Sequence, residues 1–99
     1  MIMRNLTVEQ NFHIWVFSME KHKWIETAHN KIKPKDIIRV FQKNWKTICD
    51  YCGESVFFCN SVKLEDNVST IHYTPLIHQL ETMSTDEKSR ILADKCIMI

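Results

Sequence analysis

The sequence predicts a small α+β fold that is mainly helical, and three observations carry that expectation. Glycine occurs once, at Gly53, and proline twice, at Pro34 and Pro75, so few residues favour breaking a helix or turning a tight corner. Apolar residues recur at helical spacing through the first half of the chain. Beyond Cys49-Asp50-Tyr51-Cys52-Gly53 the apolar period shortens from 3.6 to 2. The expected order is two N-terminal helices, a Cys-x2-Cys turn, one β-hairpin and two short C-terminal helices.

Each element has its own signal. Thr7 and Gln10 form a capping box that opens the first helix at Val8. Val8, Phe12, Trp15 and Met19 then make a helical stripe, with Ile14, Phe17, Trp24 and Ile25 on the other side, and no turn residue interrupts Val8 to Lys31. A strand over Phe12 to Ser18 competes, because aromatic and β-branched residues cluster there. Pro34 restarts a helix whose apolar face is Ile37, Ile38, Phe41, Trp45 and Ile48. Past the cysteine turn, Val56, Phe58, Asn60, Val62 and Leu64 alternate with their neighbours. A turn at Glu65-Asp66-Asn67 leads to a second strand, Val68 to Tyr73. Thr74-Pro75 opens a short helix through Met83, and Ser84 with Glu87 caps a last one over Thr85 to Cys96.

Length and charge bound the class. A chain of 99 residues is a single domain, residues 1–99. A domain this small buries only about 60–65% of its unfolded surface, so a metal, a partner or a second copy would add needed stability. Net charge is +1, unevenly spread: Glu20 to Lys46 holds eight Lys/Arg against three acids, and Thr47 to Ile99 holds four against eight. Such asymmetry points to a charged partner, or to halves that neutralise each other in the fold. Polar residues Arg4, Asn5, Glu9 and Asn11 interrupt the start, and the longest apolar run is Ile14 to Phe17. Neither a secretory signal nor a membrane span is expected. An intracellular, cytoplasmic setting with reduced cysteines follows.

Cys49 and Cys52 carry the expected chemistry. Two thiolates three residues apart grip one ion when the backbone turns tightly between them, and Gly53 permits the positive φ of such a turn. Structural zinc is the expected cofactor. Its second ligand pair would come from His72 and His78, with Cys59 as an alternative ligand and Cys96 a further candidate. Burial as small apolar side chains is the competing role for these cysteines. The knuckle, hairpin and helix start over Thr47 to Leu80 resemble a treble-clef zinc finger, which implies the same metal set.

Three functions follow from these features. Three tryptophans and five methionines in so short a chain suit an interface. The leading expectation is therefore a non-enzymatic binding protein that regulates or inhibits a larger macromolecular partner, a profile shared by compact accessory proteins of viruses and phages. The second is a nucleic-acid-binding zinc-finger-like protein. It rests on the basic run from residue 20 to 46, whose candidate partner-binding residues are Lys31, Lys33, Lys35, Arg39, Lys43, Lys46 and Trp24. Trp24 and Trp45 are read as core side chains ahead of stacking platforms. The third is a nuclease, because Ile71-His72-Tyr73-Thr74-Pro75-Leu76 behind the cysteine turn resembles the core of HNH-type enzymes. It departs from that pattern where Tyr73 follows His72 in place of a second histidine. Self-association is open, a membrane partner is not expected, and one glycine excludes the glycine-rich phosphate loops.

Overall fold

The computed structural model describes residues 4–50, 53–86 and 88–89. They form six antiparallel strands: β1 Arg4–Glu9, β2 His13–Ser18, β3 Lys23–Thr27, β4 Ile37–Phe41, β5 Phe57–Glu65 and β6 Val68–Pro75. A helix, α1 Leu76–Gln79, follows β6, and single 3-10 turns lie at His29–Lys31 and Leu80–Thr82. The strands make one sheet in the order β1-β6-β5-β4-β2-β3.

The mainly helical expectation is thereby overturned. Val8 to Lys31 is not a helix but the end of β1, then β2 and β3; Pro34 to Ile48 holds β4 and a tight turn. One physical reason lies in the strands themselves. Along β2, Ile14 and Val16 pack into one cluster while His13, Trp15 and Phe17 take the opposite face. Both faces are apolar or aromatic, so the two-residue period that marks a half-buried strand is absent. The competing strand over Phe12 to Ser18 was the better reading.

The second reason lies in the turns. Five residues other than glycine hold left-handed backbone: His22, Lys35, Trp45, Asp66 and Asn67, with φ between 51° and 77°. Side chains with a Cβ take corners here that scarcity of glycine seemed to forbid. The hairpin of β5 and β6 matches the sequence expectation more closely. Its turn is the pair Asp66-Asn67, both left-handed, which suits the right-handed twist of the flanking strands. Pro75 precedes α1 as expected, and residues 85, 86, 88 and 89 are helical; the rest of the expected final helix lies outside the described residues.

Topology makes the sheet curl. β1 is one edge, β2 is the fifth strand, and three residues join them. Four Cα steps from Glu9 to His13 reach at most about 15 Å. A flat sheet would hold those strands four spacings apart, about 19 Å. The curl encloses Val8, Ile14, Ile38, Val40, Phe57, Cys59, Ile71 and Tyr73. A second cluster, Phe17, Ile37, Leu76 and Leu80, forms where α1 and the turn after it cover part of the outer face.

Two polar contacts tie segments of the sheet and its loops together. His29 Nε2–H donates to the Phe12 carbonyl at 3.0 Å, and its Nδ1 is hydrogen-bonded with the Ser69 hydroxyl at 3.3 Å. Buried Ser69 sits on β6, the strand beside β1, so the histidine ties the turn after β3 to both the β1–β2 link and β6. The second is the Asp50 carboxylate. Its Oδ2 takes the Arg4 guanidinium at 2.5 Å and the Tyr73 hydroxyl at 3.2 Å, while Oδ1 accepts the Glu54 amide at 2.9 Å. The Arg4 and Asp50 side chains are only 9% and 2% exposed, so removing either charge strands the other.

Burial, reinforced by the adjacent Asp50 carboxylate, pushes the Tyr73 hydroxyl from its ordinary 10 up to about 12. A raised folded value means its contribution is complete below pH 10 and is lost as pH climbs through about 12. In urea titrations, Asp50→Ala should cost about 3–5 kcal/mol. Tyr73→Phe should cost about 1 kcal/mol at neutral pH. Between pH 10 and 12 the wild type should lose stability faster than Tyr73→Phe. Equal slopes in that window would refute the hydroxyl's role.

Candidate functional site: an aromatic cleft around Arg39

Strand register builds the site. Across β2 and β4, His13 faces Phe41 and Trp15 faces Arg39. Across β2 and β3, Trp15 faces Glu26 and Phe17 faces Trp24. Alternation puts these side chains on the outer face, opposite the enclosed core. The Phe17 end is covered by Leu76 and Leu80, and Trp24 packs against that cluster. Toward the other end lies a cleft of about 250 Å³ lined by Trp15, Trp24, Arg39, Phe41 and Trp45.

Trp45 is the outlying member. The turn after β4 closes through Trp45 N–H to Gln42 O and Gln42 N–H to Lys46 O, both 2.8 Å. Phe41 bridges to Thr47, so the turn folds back over the sheet. Trp45 adopts φ 68°, a conformation unfavourable for a bulky residue. It lies stacked on the His13 ring at 3.6 Å, nearly parallel at 10°, and is still 52% exposed. The Trp15 and Phe41 rings meet it at 6.3 and 6.2 Å. Residues held in such sparsely populated backbone regions cluster at functional sites.

Arg39 supplies the charge. Its guanidinium carbon lies 5.2 Å from the Phe41 ring centre and 5.8 Å from that of Trp24. Arg39 Nε and Trp15 Nε1 are buried donors without a hydrogen-bond partner among the described residues. Buried donors of this kind are costly unless an acceptor arrives. Lys43 and Lys46 are exposed on the turn that carries Trp45. Glu26, across from Trp15 on β3, holds His13 Nδ1 at 2.8 Å. That pair orients the ring on which Trp45 stacks.

The expected site residues are divided by this geometry. Of the basic set, Arg39 and Trp24 line the cleft and Lys43 and Lys46 flank it. Lys31 and Lys35 are exposed elsewhere along the chain, and Lys33 pairs with Asp36 at 3.7 Å. Trp45, expected in the core, stands exposed at the cleft instead. The roles of His13, Trp15 and Phe41 were not legible from spacing. A charged Arg39 inside the run Ile37-Ile38-Arg39-Val40-Phe41 was the available signal for an outer face with a task.

Of the expected metal ligands, Cys49 is exposed and Cys52 lies outside the described residues. Cys59 is fully buried on the core face, opposite Tyr73, whereas His72 alternates to the other face of β6. His78 is exposed on α1. Among the described residues no three His, Cys, Asp or Glu side chains gather around one point, and His72 stands across from Asn5 and Ser61. Among the same residues no helix is long and apolar enough to cross a membrane.

No protein-family model matches the chain, and no curated protein or solved structure matches it. The cleft's own chemistry is therefore the guide to function.

The two described thiols should differ sharply in reactivity. Burial, with Asp36 nearby, pushes Cys59 up to about 11, so it stays a protonated thiol at neutral pH. Iodoacetamide followed by peptide mapping should modify Cys49 in the folded protein and Cys59 only in urea. Equal labelling of both in the folded state would contradict the enclosed core.

Proposed function

We propose that this chain is a non-enzymatic binding module that engages a larger macromolecular partner through the Arg39 cleft, and so regulates or blocks it. The observation that carries this reading is Trp45. A strained backbone holds it half in solvent, stacked on His13, beside two buried donors that have no partner among the described residues. Exposed aromatics grouped around an arginine are the features that concentrate binding energy at interfaces. The cleft offers ring faces and donors, which serve recognition. The His13–Glu26 pair at its margin serves to hold the Trp45 stack.

Replacing Trp45 by Ala keeps the Cβ that strains the left-handed backbone and removes a side chain already half in solvent. Its effect on folding should stay within about 0.5 kcal/mol. Its effect on capture should be large, about 2 kcal/mol or roughly thirtyfold in affinity if it is a hot spot. Tagged wild type and Trp45→Ala would be used as bait in the native host, with circular dichroism confirming equal folding. Partner retention that survives Trp45→Ala unchanged would contradict the proposal.

A further inference from the structure

We infer that the occupant of the cleft is a single strand of nucleic acid, with bases stacked on Trp45 and its neighbours and phosphates drawn to Arg39, Lys43 and Lys46. This inference rests on the cleft being the binding site. Three observations favour this partner class over a peptide.

First, the site presents a continued stack. His13 covers one face of the Trp45 indole at 3.6 Å and 10°, and the residue is 52% exposed. A parallel two-ring stack that ends in solvent accepts a third flat ring, and every nucleobase has one. Second, the unmatched groups are donors. Arg39 Nε and Trp15 Nε1 are buried without partners among the described residues, and their uncompensated N–H dipoles favour negative charge over positive charge in the cleft above them. Third, the charge is placed for a backbone. Arg39 lies between the Trp24 and Phe41 rings, and Lys43 and Lys46 flank Trp45 on one short turn. Cations beside exposed ring faces suit a strand that carries both phosphates and bases. A cationic ligand is disfavoured by the guanidinium, and a duplex hides the base faces that the rings would contact.

The test is a fluorescence-anisotropy titration of the full chain with end-labelled oligothymidylate, oligouridylate and a duplex of equal length. Both single strands should bind more tightly than the duplex. With about three phosphate contacts, the logarithm of affinity should fall against that of salt with a slope near −2, or about fourfold per doubling. Trp45→Ala should weaken binding by about tenfold or more. The double variant Lys43→Ala/Lys46→Ala, confined to exposed side chains, should flatten the salt slope while leaving the fold intact. No binding at low salt, or binding that Trp45→Ala leaves unchanged, overturns the inference. If oligonucleotides fail while a host protein is captured in a Trp45-dependent way, the nucleic-acid assignment is wrong and the cleft reading survives. If neither is seen, both fall.

Discussion

A three-residue link sets the architecture. It joins an edge strand, β1, to β2 in the fifth place of a six-stranded sheet, and that is possible only if the sheet curls. Once curled, the sheet has an inside and an outside. The inside is sealed by Val8 and Ile14 from the two strands that the link brings together, with Ile38, Val40 and Phe57 beneath them. The outside of β2, β3 and β4 is left to side chains that need not be core.

One of the polar contacts belongs to the same constraint, and the other locks neighbouring strands. His29 reaches from the turn after β3 to the link itself and to Ser69 on β6. Asp50 gathers Arg4 of β1 and Tyr73 of β6 onto one carboxylate. The histidine contact runs from the end of β3 to β6, which a flat sheet would hold four spacings apart, whereas Arg4 and Tyr73 are direct partners on neighbouring strands; a chain this small has little apolar interior to spare. A buried carboxylate with three donors fixes position more than it adds net stability.

How much of this was legible in the sequence follows from which faces were apolar. The β5–β6 hairpin was readable because Val56 to Leu64 alternates and Asp66-Asn67 is a turn pair that favours left-handed backbone. β2 and β4 were not, because Trp15, Phe17 and Phe41 give the outer face the same hydrophobic signature as the core face. Any periodicity count then fits a helix as well as a strand. Scarcity of glycine misled for a separate reason: His22, Lys35 and Trp45 take left-handed corners at a cost that tertiary contacts offset. Part of the site was visible in advance, since Arg39, Lys43, Lys46 and Trp24 lay in the basic run. Its centre was not, because only strand register brings His13 and Trp15 beside Phe41 and Arg39. The cysteine turn drew attention through spacing alone, and Cys59, one of its candidate ligands, is a core side chain.

The account stands on β2 and β4 pairing so that their outer residues form one open aromatic face. Nuclear Overhauser contacts in the isotopically labelled chain test that pairing directly. Cross-strand contacts between Trp15 and Arg39, and ring contacts between His13 and Trp45, are the predicted result. Helical contacts at three-residue spacing from Val8 to Lys31, with the Trp45 indole shielded from solvent, would contradict it.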